Sequence, residues 1–593
     1  MTGNSSFNQL ISNFSSTAID ATQKPLPPAK LPPPATFIPP APNNHELNPA
    51  FFLPRSALLE PNARALVHRS RTNRYYSRNY AELANRVKGL AYYFKHYGYK
   101  RIAILAPNTP AHLETMFAAN AAGGIIMGVN YRLTKKEIDY ILNLGEADLV
   151  IVDREYENLA DEIPGRKVIV DDDVADDEVD KLGCAYGSAV QEGMALAEQT
   201  YGSRPDWDDL NTENIDENAT MGLFFTSGTT GNPKAVEYTH RGVYLASLAQ
   251  IVECNLNCQT SFGKNRCNYL WTLPMFHAAG WTYPYAVTAA RGTHICLRKI
   301  NPDQIWDILL NERVTHFSAA PTVNTMILNS KKAVQLPQEV SVVVAAAPPS
   351  AKLFGEMISH NLVPVHTYGL TETYGPFARR YFLEEWNKLP SDEVFKLMAR
   401  QGFSFLTSAN MKVVRDGKLD QPVLPNGTDI GEIVIRGNIV AKGYYRDPEA
   451  TAKAFEGGWF RTGDLAVVHP DGAAEVLDRK KDIIISGGEN ISSVAVESHI
   501  VKYHNVLEVA VIGIPDDHYG ELPYAFITLQ DPSQKIDGDD IRRWLRQFLG
   551  GYQIPKRILV VEELPKTSTG KVKKNILRKN YAEQQLRQQD AKL

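Results

Sequence analysis

Residues Thr226–Lys234 read TSGTTGNPK, a run of small hydroxyls and glycines closed by one lysine. Gly228 and Gly231 allow backbone conformations that aim N–H groups inward. Thr226, Ser227, Thr229 and Thr230 add hydroxyl donors, and Lys234 adds a mobile positive charge. Such a nest suits an anion. The short apolar run Met221–Phe225 reads as a buried strand that empties into the loop. This is not the Walker loop, where Gly-Lys is followed directly by Ser or Thr to bind magnesium. Here Pro233 precedes Lys234 and Ala235 follows it, which disfavours a P-loop kinase or GTPase.

The elements that must carry this loop follow an α/β pattern from about Pro54 onward. RIAILAP reads as a buried strand, TPAHLETMFAANAAG as a helix, GIIMGVN as a strand, TKKEIDYILNLGEA as a helix and DLVIVD as a strand. Strands alternating with helices predict parallel sheets in doubly wound layers. The same grammar returns at THFSAAPT and EVSVVVAAAPPS. Near residue 430 the pattern turns antiparallel, with GEIVIRG and DLAVVHPDGAAEVL, the latter broken by an Asp-Gly turn. A smaller α+β unit follows, with VLEVAVIGI, DIRRWLRQFLG and RILVVEELP. The expected plan is a Pro-rich arm over 1–45 with no core of its own, a large domain over 46–478 and a small one over 479–593.

Bulk properties narrow the function. The 593 residues are 44% hydrophobic and 22% charged with a net charge of −4, which gives no electrostatic footprint for nucleic acid. No apolar run reaches the roughly 18 residues that cross a bilayer, and the N-terminus lacks a secretory pattern. Cys184, Cys254, Cys258, Cys267 and Cys296 make an odd set, read as reduced thiols. Cys254, Cys258 and Cys267 lie near His277, but their spacing matches no usual structural zinc pattern. The terminal Ala591-Lys592-Leu593 is a close variant of the Ser-Lys-Leu address read by the peroxisomal import receptor, so peroxisomal import is expected, with the cytoplasm as the alternative.

Five motifs in order carry a resemblance: TSGTTGNPK, HTYGLTET, GWFRTGDL, DRKKDIIISGGENIS and PKTSTGK. From about residue 50 to 575 the chain resembles the adenylate-forming superfamily, which includes acyl-CoA synthetases, luciferases and peptide-synthetase adenylation domains. The resemblance implies ATP, Mg²⁺ and coenzyme A as cofactors and a small carboxylic acid as substrate. The carboxylate attacks the α-phosphate of ATP and expels pyrophosphate; a thiol then displaces AMP from the acyl-adenylate. It further implies that Thr226–Lys234 hold the β- and γ-phosphates, Tyr368 stacks on adenine beside Gly369, and Thr371 binds the α-phosphate. Glu372, with Thr230, would hold Mg²⁺, Asp464 the ribose hydroxyls, and Arg479 ribose and phosphate. Ala346, Ala347 and Pro348 occupy the adenine turn, with alanine where the family usually has glycine. Lys571 would reach the carboxylate and α-phosphate oxygens from a mobile lid hinged at Lys481. Gly487 and Gly488 would face the pantetheine tunnel after the lid turns.

For the acid, LPMFHAAGWTYPYAV matches the segment that lines the family's acyl pocket. His277 would sit near the carboxylate, with Trp281, Tyr283, Ala320, Thr322, Asn324 and Tyr374 as lining candidates. The whole chain resembles fungal acyl-CoA ligases of specialised metabolism, especially the mevalonyl-CoA ligase type of siderophore pathways. Medium-chain fatty or aromatic acids, an adenylate donor to another acceptor, and a non-catalytic scaffold are the competing readings. Retention of Lys234, Glu372 and Lys571 disfavours the scaffold.

Overall fold

The computed structural model describes residues 45–590 except 161–165, 177, 180–182, 203–206, 208, 213–214, 227–231, 259–265, 346–348, 410 and 568–570. Side chains at 279, 416 and 584–590 are also excluded. The expected roles of Ser227–Gly231, Ala346–Pro348, the N-terminal arm and the terminal tripeptide therefore fall outside the described residues.

The large lobe is built on two mainly parallel sheets. In the six-stranded sheet, Lys167–Asp171, Leu149–Asp153, Arg101–Leu105, Ile125–Gly128 and Thr220–Phe225 run parallel, and Ala235–Thr239 returns antiparallel. Ile102–Leu105 are buried on both faces, the pattern of a strand inside a parallel sheet that is covered on both sides. Helix Pro110–Ala121 is buried at every position: most of its residues are small or apolar, and its buried His112, Glu114 and Asn120 are hydrogen-bonded. Helix Lys135–Leu144 starts where the sequence dictates: Thr134 and Glu137 form a reciprocal capping box. The nine-stranded sheet places His316–Ala319 beside Val340–Val344 and Leu362–Leu370, with Gly375–Arg379 returning antiparallel.

The antiparallel region is a four-stranded sheet in which Phe460–Val468 pairs with Ala474–Arg479 across an Asp471-Gly472 turn. Gly472 has φ +83°, a left-handed turn position that glycine fills without strain. This register sets Asp464 directly opposite Arg479.

The small lobe packs helices Ser493–Ile500 and Gly538–Leu545 on a five-stranded sheet formed by Glu489–Ile491, Ile484–Ser486, Gly520–Leu529, Val506–Asp516 and Arg557–Val560. Its apolar core gathers Ile484, Val496, Val511, Ile527 and Leu545. Residues Glu46–Leu593 hold together as one compact unit, so the expected division near 478 lies inside it. A buried polar chain crosses that point. Asp478 accepts hydrogen bonds from Ser493 N (2.8 Å) and Ser493 Oγ, Lys574 donates to Ser493 Oγ, and Lys574 pairs with Glu497 at 2.8 Å.

Candidate active site

The neck of the Gly/Thr loop is pinned by two hydrogen bonds. Thr226 N donates to Lys234 O (3.0 Å), and Lys234 N donates to Thr226 Oγ1 (3.1 Å). Strand Ala235–Thr239 leaves this neck and is flanked by the segment 441–445. There Glu237 N donates to Gly443 O (3.0 Å), Lys442 N to Glu237 O (3.1 Å) and Tyr445 N to Ala235 O (2.8 Å). The same segment reaches the HTYGLTET turn, since Ala441 N donates to Glu372 O (2.8 Å). The Tyr444 hydroxyl donates to Glu372 Oε1 (2.8 Å), and Lys234 Nζ lies 4.6 Å from the centre of the Tyr444 ring. Burial raises the Glu372 carboxyl above its ordinary range, opposed by the Tyr444 O–H.

HTYGLTET forms the end of strand Leu362–Leu370 and a single turn, Thr371–Thr373. Gly369 is required here: a Cβ would lie 1.9 Å from Gly375 O. Tyr238 donates its hydroxyl to Thr371 O (2.6 Å), fixing the turn from below. Tyr368 donates its hydroxyl to Asp464 Oδ2 (2.7 Å), and Arg479 Nε lies 3.3 Å from Asp464 Oδ1. The aromatic ring, the carboxylate and the guanidinium expected around a nucleoside thus form one connected group. Asp464 is only 4% exposed, so its charge depends on these donors.

Lys571 arrives from the small lobe. Its loop closes where Thr567 N donates to Lys571 O (2.7 Å) and Lys571 N donates to Thr567 Oγ1 (3.1 Å). Burial, then the Arg479 charge, pulls its ammonium down to about 8, with Asp464 and Asp482 opposing. Burial, then Lys571, lowers His277 to about 4, so His277 is a neutral imidazole at pH 7. The Arg479, Asp464 and Asp482 charges thus act on Lys571, and the Lys571 charge acts on His277.

The acyl candidates divide. Trp281 is 5% exposed and packs against Gly375, where a Cβ would sit 2.8 Å from Trp281 Cβ. Ala278, Trp281 and Thr282 all have positive φ (46°, 54° and 62°), a strained turn of the kind found at ligand sites. Asn324 is fully buried; its Nδ2 donates to Ala319 O (3.2 Å), while Oδ1 has no partner among the described residues. Ala320 and Thr322 are half-buried at the carboxyl end of strand His316–Ala319, where ligands bind in open α/β sheets. Tyr283 and Tyr374 are both fully buried among other aromatic side chains. Tyr283 stacks on Tyr269 and donates to Cys254 Sγ (3.3 Å). Tyr374 lies 4.1 Å from Tyr238, ring to ring, and its hydroxyl accepts from Thr239 N (3.0 Å).

Lys481 lies between the buried Asp478 and the small-lobe sheet, in a turn where Asp482 N donates to Arg479 O (2.8 Å). Gly487 and Gly488, at φ 59° and 87°, make the two-residue loop of the hairpin Ile484–Ser486/Glu489–Ile491. That primed turn needs positive φ at both positions and supplies a local reason for the Gly-Gly pair. Tyr444 was not among the sequence candidates; its only signal is a tyrosine after Gly443 in a loop.

Residues 53–445 match the family described as AMP-binding enzyme, and 495–571 match the AMP-binding enzyme C-terminal domain. The chain belongs to the AMP-binding enzyme family. An acetate–CoA ligase of Humulus lupulus is 38% identical over 565 residues, covering 91% of this chain and 95% of that one. A peroxisomal acetate/butyrate–CoA ligase of Arabidopsis thaliana is 36% identical over 91% of this chain and 96% of its own. A 4-hydroxybutyrate–CoA ligase of Metallosphaera sedula is 35% identical over 90% and 94%. Among solved structures, ATP-bound MatB of Rhodopseudomonas palustris superposes with TM-score 0.73 at 25% identity, covering 90% of this chain and 99% of that one. The fold of this AMP-binding enzyme is thus the expected α/β architecture, with a large N-terminal domain of sheets and a smaller C-terminal domain. No helix among its described residues is long and apolar enough to cross a membrane.

Proposed function

We propose that this AMP-binding enzyme is an AMP-forming acid–CoA ligase. The observation that carries the reading is the joined group of Tyr368, Asp464 and Arg479, linked at 2.7 and 3.3 Å, with Lys571 of the small lobe near enough to feel the Arg479 and Asp464 charges. That arrangement supplies cations where a carboxylate and a phosphate, both anionic, must meet. A carboxylate oxygen attacks the α-phosphorus; the P–O bond to the β-phosphate breaks and pyrophosphate leaves. The CoA thiolate then attacks the acyl carbon, and the acyl C–O bond breaks with AMP departing.

In the first step Lys234 and the loop hydroxyls hold the leaving pyrophosphate, Thr371 the α-phosphate, Tyr368 the adenine, and Asp464 with Arg479 the ribose. Lys571 neutralises the charge that gathers between the two reactants, and neutral His277 orients the carboxylate without adding a charge of its own. Glu372 fits a magnesium ion: its carboxylate is held by a neutral donor, Tyr444, and forms no ion pair among the described residues. Bound there with Thr230, the ion would offset phosphate charge, the usual role of a hard cation on one carboxylate plus phosphate oxygens. For the second step, rotation about Lys481 withdraws Lys571 and turns the Gly487-Gly488 hairpin toward the pantetheine arm.

The acid is short, branched or hydroxylated, with mevalonate among the candidates. Three observations support this: Trp281 fills space against Gly375, Asn324 Oδ1 has no donor among the described residues, and relatives are named for acetate, butyrate and 4-hydroxybutyrate. Import into peroxisomes through Ala591-Lys592-Leu593 belongs to the same reading, supported by relatives named peroxisomal. An acid labelled with ¹⁸O in its carboxylate tests the chemistry. One labelled oxygen in AMP and none in pyrophosphate is the expected result; label appearing in inorganic phosphate would overturn the adenylate route.

A further inference from the structure

Three facts meet at Tyr444. Its hydroxyl donates to Glu372 Oε1 at 2.8 Å, and its ring lies 4.6 Å beneath the Lys234 ammonium. Its backbone is bridged to Val236, two residues past Lys234, while Ala441 in the same segment donates to the Glu372 carbonyl. The side chain is only 9% exposed, so the phenol is held between the two charges by packing as well as by its hydrogen bond. An aromatic face attracts an ammonium without neutralising it. A phenol O–H orients a carboxylate while leaving the remaining lone pairs of its oxygens open. Without the ring, the Lys234 ammonium and the Glu372 carboxylate would have no barrier to pairing with each other. Such a pair would withdraw both groups from the nucleotide.

We infer that Tyr444 is a positioning residue that holds Lys234 and Glu372 apart and aimed, one for the phosphates and one for the metal. The inference rests on the proposed roles of Lys234 and Glu372. It adds that a third side chain between them, from a segment outside both motifs, keeps each charge available. It also gives a physical path by which strand Ala235–Thr239, the loop neck and the Thr371–Thr373 turn respond together when nucleotide enters.

The test uses the full chain with α,β-methylene ATP, which cannot release pyrophosphate, and Mn²⁺ as the probe, in the absence of acid. Free Mn²⁺ is followed by electron paramagnetic resonance. Tyr444→Phe keeps the ring and removes the hydroxyl. It should weaken Mn²⁺ binding to the nucleotide complex by about 10-fold, the lower end of what loss of a ligand-orienting partner costs. Metal-free nucleotide affinity, measured in EDTA, should stay unchanged in this variant. Tyr444→Leu should weaken nucleotide binding in EDTA as well, because Lys234 then loses its support. In a Lys234→Met background, Tyr444→Leu should add no further loss of nucleotide affinity, as expected if the ring acts through the lysine. Wild-type Mn²⁺ binding in Tyr444→Phe, together with wild-type nucleotide affinity in Tyr444→Leu, would overturn the inference. If instead Glu372→Gln and Lys234→Met themselves leave both affinities intact, the underlying assignment of the site fails.

Discussion

Replacing Lys571 separates the two half-reactions. The ammonium is drawn from its ordinary 10.5 down to about 8 by burial and by the neighbouring Arg479 charge. At about 1.4 kcal/mol per unit, that is about 3 kcal/mol against the charged form in the ligand-free site. The sign follows: because the folded pKa lies below the unfolded one, the charged lysine costs stability below pH 8, and this cost fades between pH 8 and 10.5. Arriving phosphate and carboxylate supply the missing anions and convert that cost into attraction. Lys571→Ala should therefore slow adenylation, read as pyrophosphate exchange, by about 10²–10³-fold, the usual effect of removing one transition-state donor. Thioester formation from supplied acyl-adenylate should be nearly unchanged if, as proposed, rotation about Lys481 withdraws Lys571 before that step. The pH profile gives an independent reading. For the wild type, kcat/KM for ATP should fall above about pH 8 as free-enzyme Lys571 loses its proton. That alkaline limb should be missing in Lys571→Ala. Equal loss in both half-reactions, or survival of the limb in the variant, would refute the argument.

Further expectations follow from other contacts. Ser493→Ala removes a charge-assisted donor to Asp478 across the hinge, worth about 1.5–3 kcal/mol. It should depress adenylation about tenfold or more while sparing thioester formation, and unchanged partial rates would contradict a latch at this point. Trp281→Gly relieves a positive-φ residue and opens space beside Gly375. Measured by kcat/KM, it should shift preference toward longer acids by roughly tenfold for each methylene that now fits. Glu114 is wholly buried and accepts from Arg78, Arg86 and Tyr186 at 3.0, 2.8 and 2.9 Å. Glu114→Ala removes the buried acceptor shared by the two guanidinium groups and leaves them only the half-exposed Asp176, so it should cost about 3 kcal/mol in urea unfolding while leaving the KM for ATP unchanged.

Much of the scaffold was legible because local chemistry and tertiary role agree. The strand Arg101–Leu105 is apolar on both faces, and helix Lys135–Leu144 opens on a capping box that the letters Thr134 and Glu137 announce. The order of motifs was enough to single out Tyr368, Asp464 and Arg479, which the fold joins through hydrogen-bond and charge contacts. What sequence could not supply are the long-range meetings. That the Lys571 charge acts on His277 depends on how the small lobe sits, which no periodicity encodes. Tyr444 meets Glu372 only because segment 441–445 lies along the strand after Lys234. Tyr283 and Tyr374 show how little proximity to a motif says about a side chain's own contacts. Their places near quoted motifs made them lining candidates, yet their hydroxyls are engaged by Cys254 and Thr239 within the aromatic core.

The central claim, that this enzyme joins a short carboxylic acid to CoA through an adenylate, is tested most directly by pyrophosphate release across a panel of acids with and without CoA. The panel should hold acetate, butyrate, 2-methylpropanoate, 4-hydroxybutyrate, mevalonate, medium and long fatty acids, and cinnamate. The account predicts one short or hydroxylated acid well ahead, with sustained turnover only when CoA is present. Sustained release without CoA, a long-chain or aromatic acid in front, or no release with any acid would contradict it.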